Sequence, residues 1–366
     1  MAKLIRSIDR IAVVRGQLRL ALFFAAWPGF AAHGQMHLEA GLEQFASAGF
    51  IKPAHWLDER PGENDRTHWL TQRTAASAHY QFDNWRLGIS REKQAYARAN
   101  TGALSLAAQD KANHEVDLST PGNFPLHAEV WKLGTTTFSA AYAWKPGTGV
   151  SLELEPFVQT IHDFEHMRGD LLLVNSSGSS RLSGQISKTG TRSYGFLPND
   201  QPDQGWGSGA NLRAGWESPM GRLSLTVHNA WNRQEFSAVH QTNLHYNVSS
   251  TGNKINIADL PSVTGEYGLT QGRTKLPAFW QSAYEPMMLP GLTVGAMGLG
   301  KNGIWTAGYY GTWAGGRWWV RTAQTRNWSA GYGYAWASGW KASFGVSADA
   351  NGKAPLLSSI MVSKSW

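Results

Sequence analysis

Large and small residues alternate along much of this chain. Trp328, Ala330, Tyr332, Tyr334 and Trp336 are separated one for one by Ser329, Gly331, Gly333 and Ala335. The pattern restarts after Ala337-Ser338-Gly339, where Trp340, Ala342, Phe344, Val346 and Ala348 alternate with Lys341, Ser343, Gly345, Ser347 and Asp349. Upstream, Trp305, Ala307, Tyr309, Gly311 and Trp313 alternate with Thr306, Gly308, Tyr310 and Thr312. A repeat of two residues is the signature of a β-strand with two chemically distinct faces. Gly315-Gly316, Ser338-Gly339 and Asn351-Gly352 supply hairpin chemistry between the strands. Earlier segments obey the same rule: Leu212, Ala214 and Trp216; Leu223, Leu225 and Val227; Phe138, Ala140, Tyr142 and Trp144; Val150, Leu152 and Leu154. No stretch of similar length repeats every 3.6 residues. The pattern predicts one antiparallel β domain over 35–366, without a linker.

Such alternation suits a soluble sandwich with an apolar core, or a barrel whose apolar side faces lipid and whose small polar side faces a lumen. Tryptophan spacing separates the two. Trp206 and Trp216 share a face, with Ser208, Ala210, Leu212 and Ala214 between them. Ten residues at about 3.3 Å, tilted by about 40°, rise roughly 25 Å, the height of a lipid-facing band. Trp305 and Trp313, and Trp328 and Trp336, bracket small or apolar residues in the same way; Trp340 opens the next strand and Trp366 ends the chain. Amphipathic indole rings collect at both edges of a membrane, whereas a sandwich core gives no reason to place them at strand ends.

Composition agrees. Of 366 residues, 40 are Gly and 18 are Trp, and only 16% are charged, below the roughly 25% of ordinary globular chains. There is no cysteine, which excludes disulfides, thiolate metal sites, cysteine catalysis and lipid attachment through cysteine. The net charge of +7 would invite a nucleic-acid partner, but its location argues otherwise. Lys3, Arg6, Arg10, Arg15 and Arg19, opposed only by Asp9, precede the apolar run Leu20–Ala32 and the small-residue pattern Ala32-His33-Gly34. These are the parts of a signal peptide over 1–34, cut before Gln35. The apolar run is shorter than the roughly 20 residues of a spanning helix and contains Pro28 and Gly29. Removing five basic residues and one acid leaves +3, and the nucleic-acid reading lapses.

Backwards from Trp366, the last strand presents Lys364, Val362, Ile360, Ser358 and Leu356 on one face. A terminal aromatic on an alternating strand resembles the assembly signal of bacterial outer-membrane proteins. Lys364 departs from that pattern, and a snorkelling lysine tolerates an interface. With this ending, the chain resembles a Gram-negative outer-membrane β-barrel of porin-like size. The resemblance implies an all-β antiparallel transmembrane barrel of about 16 strands (14–18), six of them after Pro290, located in the outer membrane after export. The implied partners are outer-membrane lipid and lipopolysaccharide, and the assembly machinery acting through the strand that ends in Trp366.

If the tryptophan face meets lipid, the opposite face lines the lumen. It carries Arg73, His79, Arg86, Glu153, Glu155, Arg213, Glu217, His228, Arg317, Arg321 and Lys341. Charges around a water-filled pore set selectivity, and the basic excess favours anions. Alternatively, Arg–Glu pairs across the wall satisfy one another. Phe50–Arg66, Ala95–Pro125 and Ser249–Lys275 are candidate loops or plugs. His162, Asp163, Glu165 and His166 are metal-ligand types, but alternation puts the histidines on one face with Phe164 and the acids on the other, as in an acidic surface loop. Asn175–Ser180 is serine-rich but lacks the G-x-S-x-G elbow of a nucleophile. The expected function is a channel for small hydrophilic solutes, anions included, without metal or cofactor. The alternatives are a wide export barrel for surface polysaccharide, with Tyr310 and Trp319 facing sugar rings, and a lipid-modifying enzyme.

Overall fold

The computed structural model describes residues 34–46, 67–106, 115–117, 121–176, 178–191, 205–251, 254–256, 263–323, 328–348 and 356–365. The expected signal peptide, the stretch Phe50–Arg66 and Trp366 lie outside them, Gly34 excepted. The first nine strands are β1 (Gln35–Ala46), β2 (Thr67–Phe82), β3 (Trp85–Asn100), β4 (Glu115–Asp117), β5 (Gly122–Gly147), β6 (Val150–Ser176), β7 (Ser179–Gly190), β8 (Gly205–Ser218) and β9 (Gly221–Thr251). The rest are β10 (Lys254–Asn256), β11 (Val263–Thr274), β12 (Phe279–Pro286), β13 (Leu292–Leu299), β14 (Asn302–Trp313), β15 (Gly316–Ala323), β16 (Trp328–Ala335), β17 (Trp340–Ala348) and β18 (Leu356–Ser365). Six strands follow Pro290. No described helix is long and apolar enough to cross a membrane.

Sixteen strands join one sheet with antiparallel pairing throughout, and β18 pairs with β1 to close it into a barrel. Closure removes the exposed edges that an open sheet of this size would leave. The barrel has fourteen staves rather than sixteen. β8 pairs with the first half of β6 (Val150–Ile161) and β7 with the second (Glu165–Ser176), so the two share one position. β11 and β12 share another beside β9. β4 and β10 pair only with each other, outside the barrel sheet.

One end of the barrel has short turns. In the hairpin from Trp313 to Gly316, Ala314 (φ 48°) and Gly315 (φ 76°) are both left-handed, the type I′ geometry that matches strand twist. The other end is loop-rich. There β5, β6, β7 and β9 extend past their neighbours, and a helical turn at 101–106 packs Leu106 onto Leu126, Leu173, Leu182 and Val248. The stretches Ala95–Pro125 and Ser249–Lys275 therefore contain much strand and this cover, not only loop.

The outer face is apolar and exposed: Leu87, Phe138, Leu154, Val158, Phe344 and Ile360 are examples. Trp206, Trp305 and Trp328 stand toward its loop-rich edge, and Trp216, Trp313, Trp336 and Trp340 toward its short-turn edge, all exposed. Lys364 shares this face, donates to the Ser338 carbonyl and lies 5.6 Å from the Trp340 ring. That is a cation folded back onto an exposed indole.

The barrel is not round. Backbones of β2 approach those of β13 and β14 within 8 Å across the lumen. The approach is filled by an apolar cluster that includes Trp69, Tyr96, Trp131, Phe164, Phe236, Phe279, Leu299 and Ile304. Two lobes remain on either side of this bar.

Candidate functional site: a divided lumen

The first lobe, walled by β2, β3, β5, β6, β8 and β9, holds a dense polar network. Arg73 grips Glu92 with two parallel hydrogen bonds, Nε to Oε2 at 3.0 Å and Nη2 to Oε1 at 2.8 Å. Glu92 also accepts from Ser90 at 2.7 Å and from Gln94 Nε2 at 2.6 Å. Deeper toward the short turns, Arg86 reaches Glu153 at 2.7 Å and Glu155 at 3.4 Å, and Arg213 reaches Glu153 at 2.7 Å. Ser139 and Asn211 donate to Glu155. Buried carboxylates are tolerable only when charge and hydrogen bonds replace lost water, and these meet that condition. The cavity left between Glu43, Arg73, Tyr96, His228 and Phe279 is about 50 Å³. This lobe is wall rather than passage.

Two devices span it. Gln159 Nε2 donates to Gln234 Oε1 at 2.8 Å. Asn229, left-handed at φ 55° and set in a three-residue bulge of β9, donates to the Tyr96 hydroxyl at 2.9 Å. Asparagine adopts this conformation more readily than most residues, and a bulge re-aims a side chain.

The second lobe, walled by β13 to β18 and β1, is built from small residues. A cavity of about 330 Å³ is lined by Thr306, Ser329, Ser343, Ser347, Ser359 and Arg321, among others. A second, of about 400 Å³ at the short-turn end, is lined by Thr312, Arg317, Gly333, Lys341, Ser343 and Ser363, among others. Ser343 belongs to both, so the two adjoin. Trp319 lies flat against the wall because 331 and 345 are glycine; a Cβ there would sit 2.4 and 2.7 Å from its ring. Arg321 stands 6.0 Å from the Trp319 ring centre, and Arg317 3.6 Å from that of Tyr310. No ion pair among the described residues joins Arg317, Arg321 or Lys341 to a carboxylate. Among the described residues the acids on this side are Glu39, Glu43 and Glu285; Glu285 accepts from the Tyr310 hydroxyl.

The bar between the lobes is anchored at a break in the wall. Residues 275–278 interrupt the stave shared by β11 and β12, and Leu276 turns inward and is buried. Asn232 holds it through both backbone groups, accepting from Leu276 N at 2.7 Å and donating to Leu276 O at 3.0 Å. Phe45 and Phe279 stack across the lumen at 5.3 Å, and Trp69 meets Phe279 at 6.1 Å.

Arg73, His79, Arg86, Glu153, Glu155, Arg213 and His228 therefore fall in the first lobe, and Arg317, Arg321 and Lys341 in the second. Glu217 belongs to neither: it pairs with Arg222 at 2.8 Å at the short-turn rim, where both are exposed. The His162–Asp170 segment is strand, not surface loop. A bulge opposite Gly134 and Thr135 shifts the register there. Ile161 and Phe164 both point inward, while His162 turns outward to Thr136 at 2.9 Å, so the two histidines do not share a face. His166 instead stacks on Trp131 and bonds Glu129 at 2.8 Å. Ser176 and Ser179 hydrogen-bond each other at a hairpin tip. Among the described residues an apolar bar crosses the lumen that an exported polysaccharide would use, and Tyr310 and Trp319 face inward. Glu92 and Gln94 were legible in the alternation, since Trp85, Leu87 and Ile89 hold the other face of β3. Nothing local marks Gln159, Gln234 or Asn229.

No known protein family matches the chain, and no curated protein does. Solved structures overlap it in general shape. A TodX deltaS2S3 mutant monoaromatic hydrocarbon channel covers 91% of this chain and 89% of its own, at 10% identity and a TM-score of 0.42. The Pseudomonas putida toluene transporter TodX overlaps with a TM-score of 0.37 at 10% identity, over 91% and 87%. The outer membrane protease OmpT from Escherichia coli does so at 0.20 and 7% identity, over 91% and 93%. Overlaps this low carry neither family nor function.

Proposed function

We propose that this barrel is an outer-membrane channel for small hydrophilic solutes, anions among them, and that solutes move along the β14–β18 wall. One observation carries the proposal: two adjoining cavities rich in serine and threonine, into which Arg317, Arg321 and Lys341 project with no ion pair to a carboxylate among the described residues, Glu43 being the one acid that lines the cavity of Arg321. The arginines of the other lobe are neutralised by the glutamates that hold them. Cations that face water without a partner raise local anion concentration and lower the barrier to anion entry. The apolar bar narrows the loop-rich end, so unit conductance should be small.

The closing pair of β1 with β18 supports a role for the last strand in assembly, with the machinery acting on the end that carries Trp366. Export directed by a cleaved signal peptide over 1–34 completes this account. Conductance in planar bilayers tests it. Discrete steps with a reversal potential displaced toward chloride in a KCl gradient are expected. Absence of steps from folded protein overturns the channel, and a potential displaced toward potassium overturns the anion preference.

A further inference from the structure

The outer face carries a cationic cluster that the lumen does not use. On β3, Arg91 and Lys93 continue the lipid-facing series Trp85, Leu87 and Ile89, and both are exposed. On β5, Lys132 continues the series Trp144, Tyr142 and Phe138. Lys188 of β7 completes the group. Lys93 pairs in register with Gly134, two residues from Lys132, which brings their side chains to diagonal neighbours on one face. The acids on this face are Asp163, opposite Gly134, and Glu165, which meets Lys132 at 2.5 Å and Lys188 at 3.4 Å. Four cations face two carboxylates.

Position gives the cluster its meaning. It lies toward the loop-rich end, at the edge of the band marked by Trp206, whose residue pairs with Thr160 of β6. Directly below it on the same strands stand the exposed Leu87, Phe138, Leu154 and Val158. Positive charge above an apolar wall is the complement of a lipid with an anionic head and acyl tails.

We propose that Arg91, Lys93, Lys132 and Lys188 bind the phosphates of a phosphorylated glycolipid of the outer leaflet, with its acyl chains against Leu87, Phe138 and Val158. Placing this face in the membrane rests on the outer-membrane reading above, but the binding does not depend on an open lumen. Glu165 pairs with Lys132 and Lys188 and leaves the cluster with an excess of positive charge.

The test titrates the whole folded barrel, in uncharged detergent micelles, with diphosphorylated lipid A and with the same lipid stripped of its phosphates. The phosphorylated form should bind about tenfold tighter or more, and the difference should shrink as salt rises. Replacing all four residues by Gln should abolish the difference. Arg91→Gln with Lys93→Gln, which leaves the Glu165 pairs intact, should reduce it and serves if the fourfold variant does not fold. Equal binding of the two lipids by the wild type, or selectivity unchanged in a folded variant, overturns the site. Conductance in neutral bilayers is read on the same preparations. Lipid selectivity without conductance leaves this site standing and sinks the channel; conductance without lipid selectivity does the reverse. A chain that does not insert into bilayers overturns both.

Discussion

Phe45 and Phe279 stack at 5.3 Å although their strands stand seven staves apart, on opposite walls of a fourteen-stave barrel. Contact between opposite walls makes the lumen two lobes instead of one pore, and in the proposed channel it marks the constriction.

Phe279→Ala should therefore open the bar. The ring also contacts Trp69 and stacks near His228, so its loss removes three aromatic contacts at once. Single-channel conductance should rise several-fold, while stability falls by about 3–5 kcal/mol, as for other buried Phe→Ala changes. Bilayer recordings and urea unfolding measure the two. Conductance that does not change would mean the bar is not the constriction.

The polar half should respond differently. Arg73→Ala leaves the carboxylate of Glu92, only 8% exposed, without its bidentate partner. Removing one member of a buried pair costs about 3–5 kcal/mol. Arg73→Met combined with Glu92→Gln should cost clearly less, because no buried charge is stranded. Urea midpoints of the single and double variants decide this, and equal losses would refute the network's electrostatic role.

Ion preference should follow the second lobe. Arg317→Glu and Lys341→Glu, at the mouth of the 400 Å³ cavity, should move the reversal potential toward potassium. Arg222→Gln, on the exposed rim pair, should leave it unmoved. A shift of equal size from Arg222→Gln would place the selective charges outside the lumen.

Neighbouring residues of β17 test which face meets lipid. Phe344 is half exposed on the outer face near mid-height, and Ser343 lines both cavities of the second lobe. Phe344→Arg should destabilise the membrane-inserted barrel by about 2–4 kcal/mol. Ser343→Arg should spare stability and reduce conductance. Unfolding from lipid vesicles reads the first effect, and a reversed order of the two costs would overturn the membrane assignment.

Much of this was legible in the chain. The face of each residue on β14, β16 and β17 follows from its parity, because successive side chains leave an extended backbone on opposite sides whatever the strand pairs with. Eight- and ten-residue spacings between tryptophans likewise measure the apolar band before any fold is known. His162 shows where parity stops working. The bulge opposite Gly134 and Thr135 inserts a residue into the ladder, and only the partner strand reveals it.

By itself, then, the sequence determined the strand class and the two chemically distinct faces of the strands. Tertiary structure alone decided the fourteen staves, since β7 with β8 and β11 with β12 read as separate strands until their shared partners are seen. It also decided which arginines are neutralised. Arg213 finds Glu153 at a separation of 60 residues, and Asn229 finds Tyr96 at 133. The physical reason is one of range: alternation is a property of neighbouring residues, whereas the lumen is made by residues that meet only when the ring closes and its walls draw together.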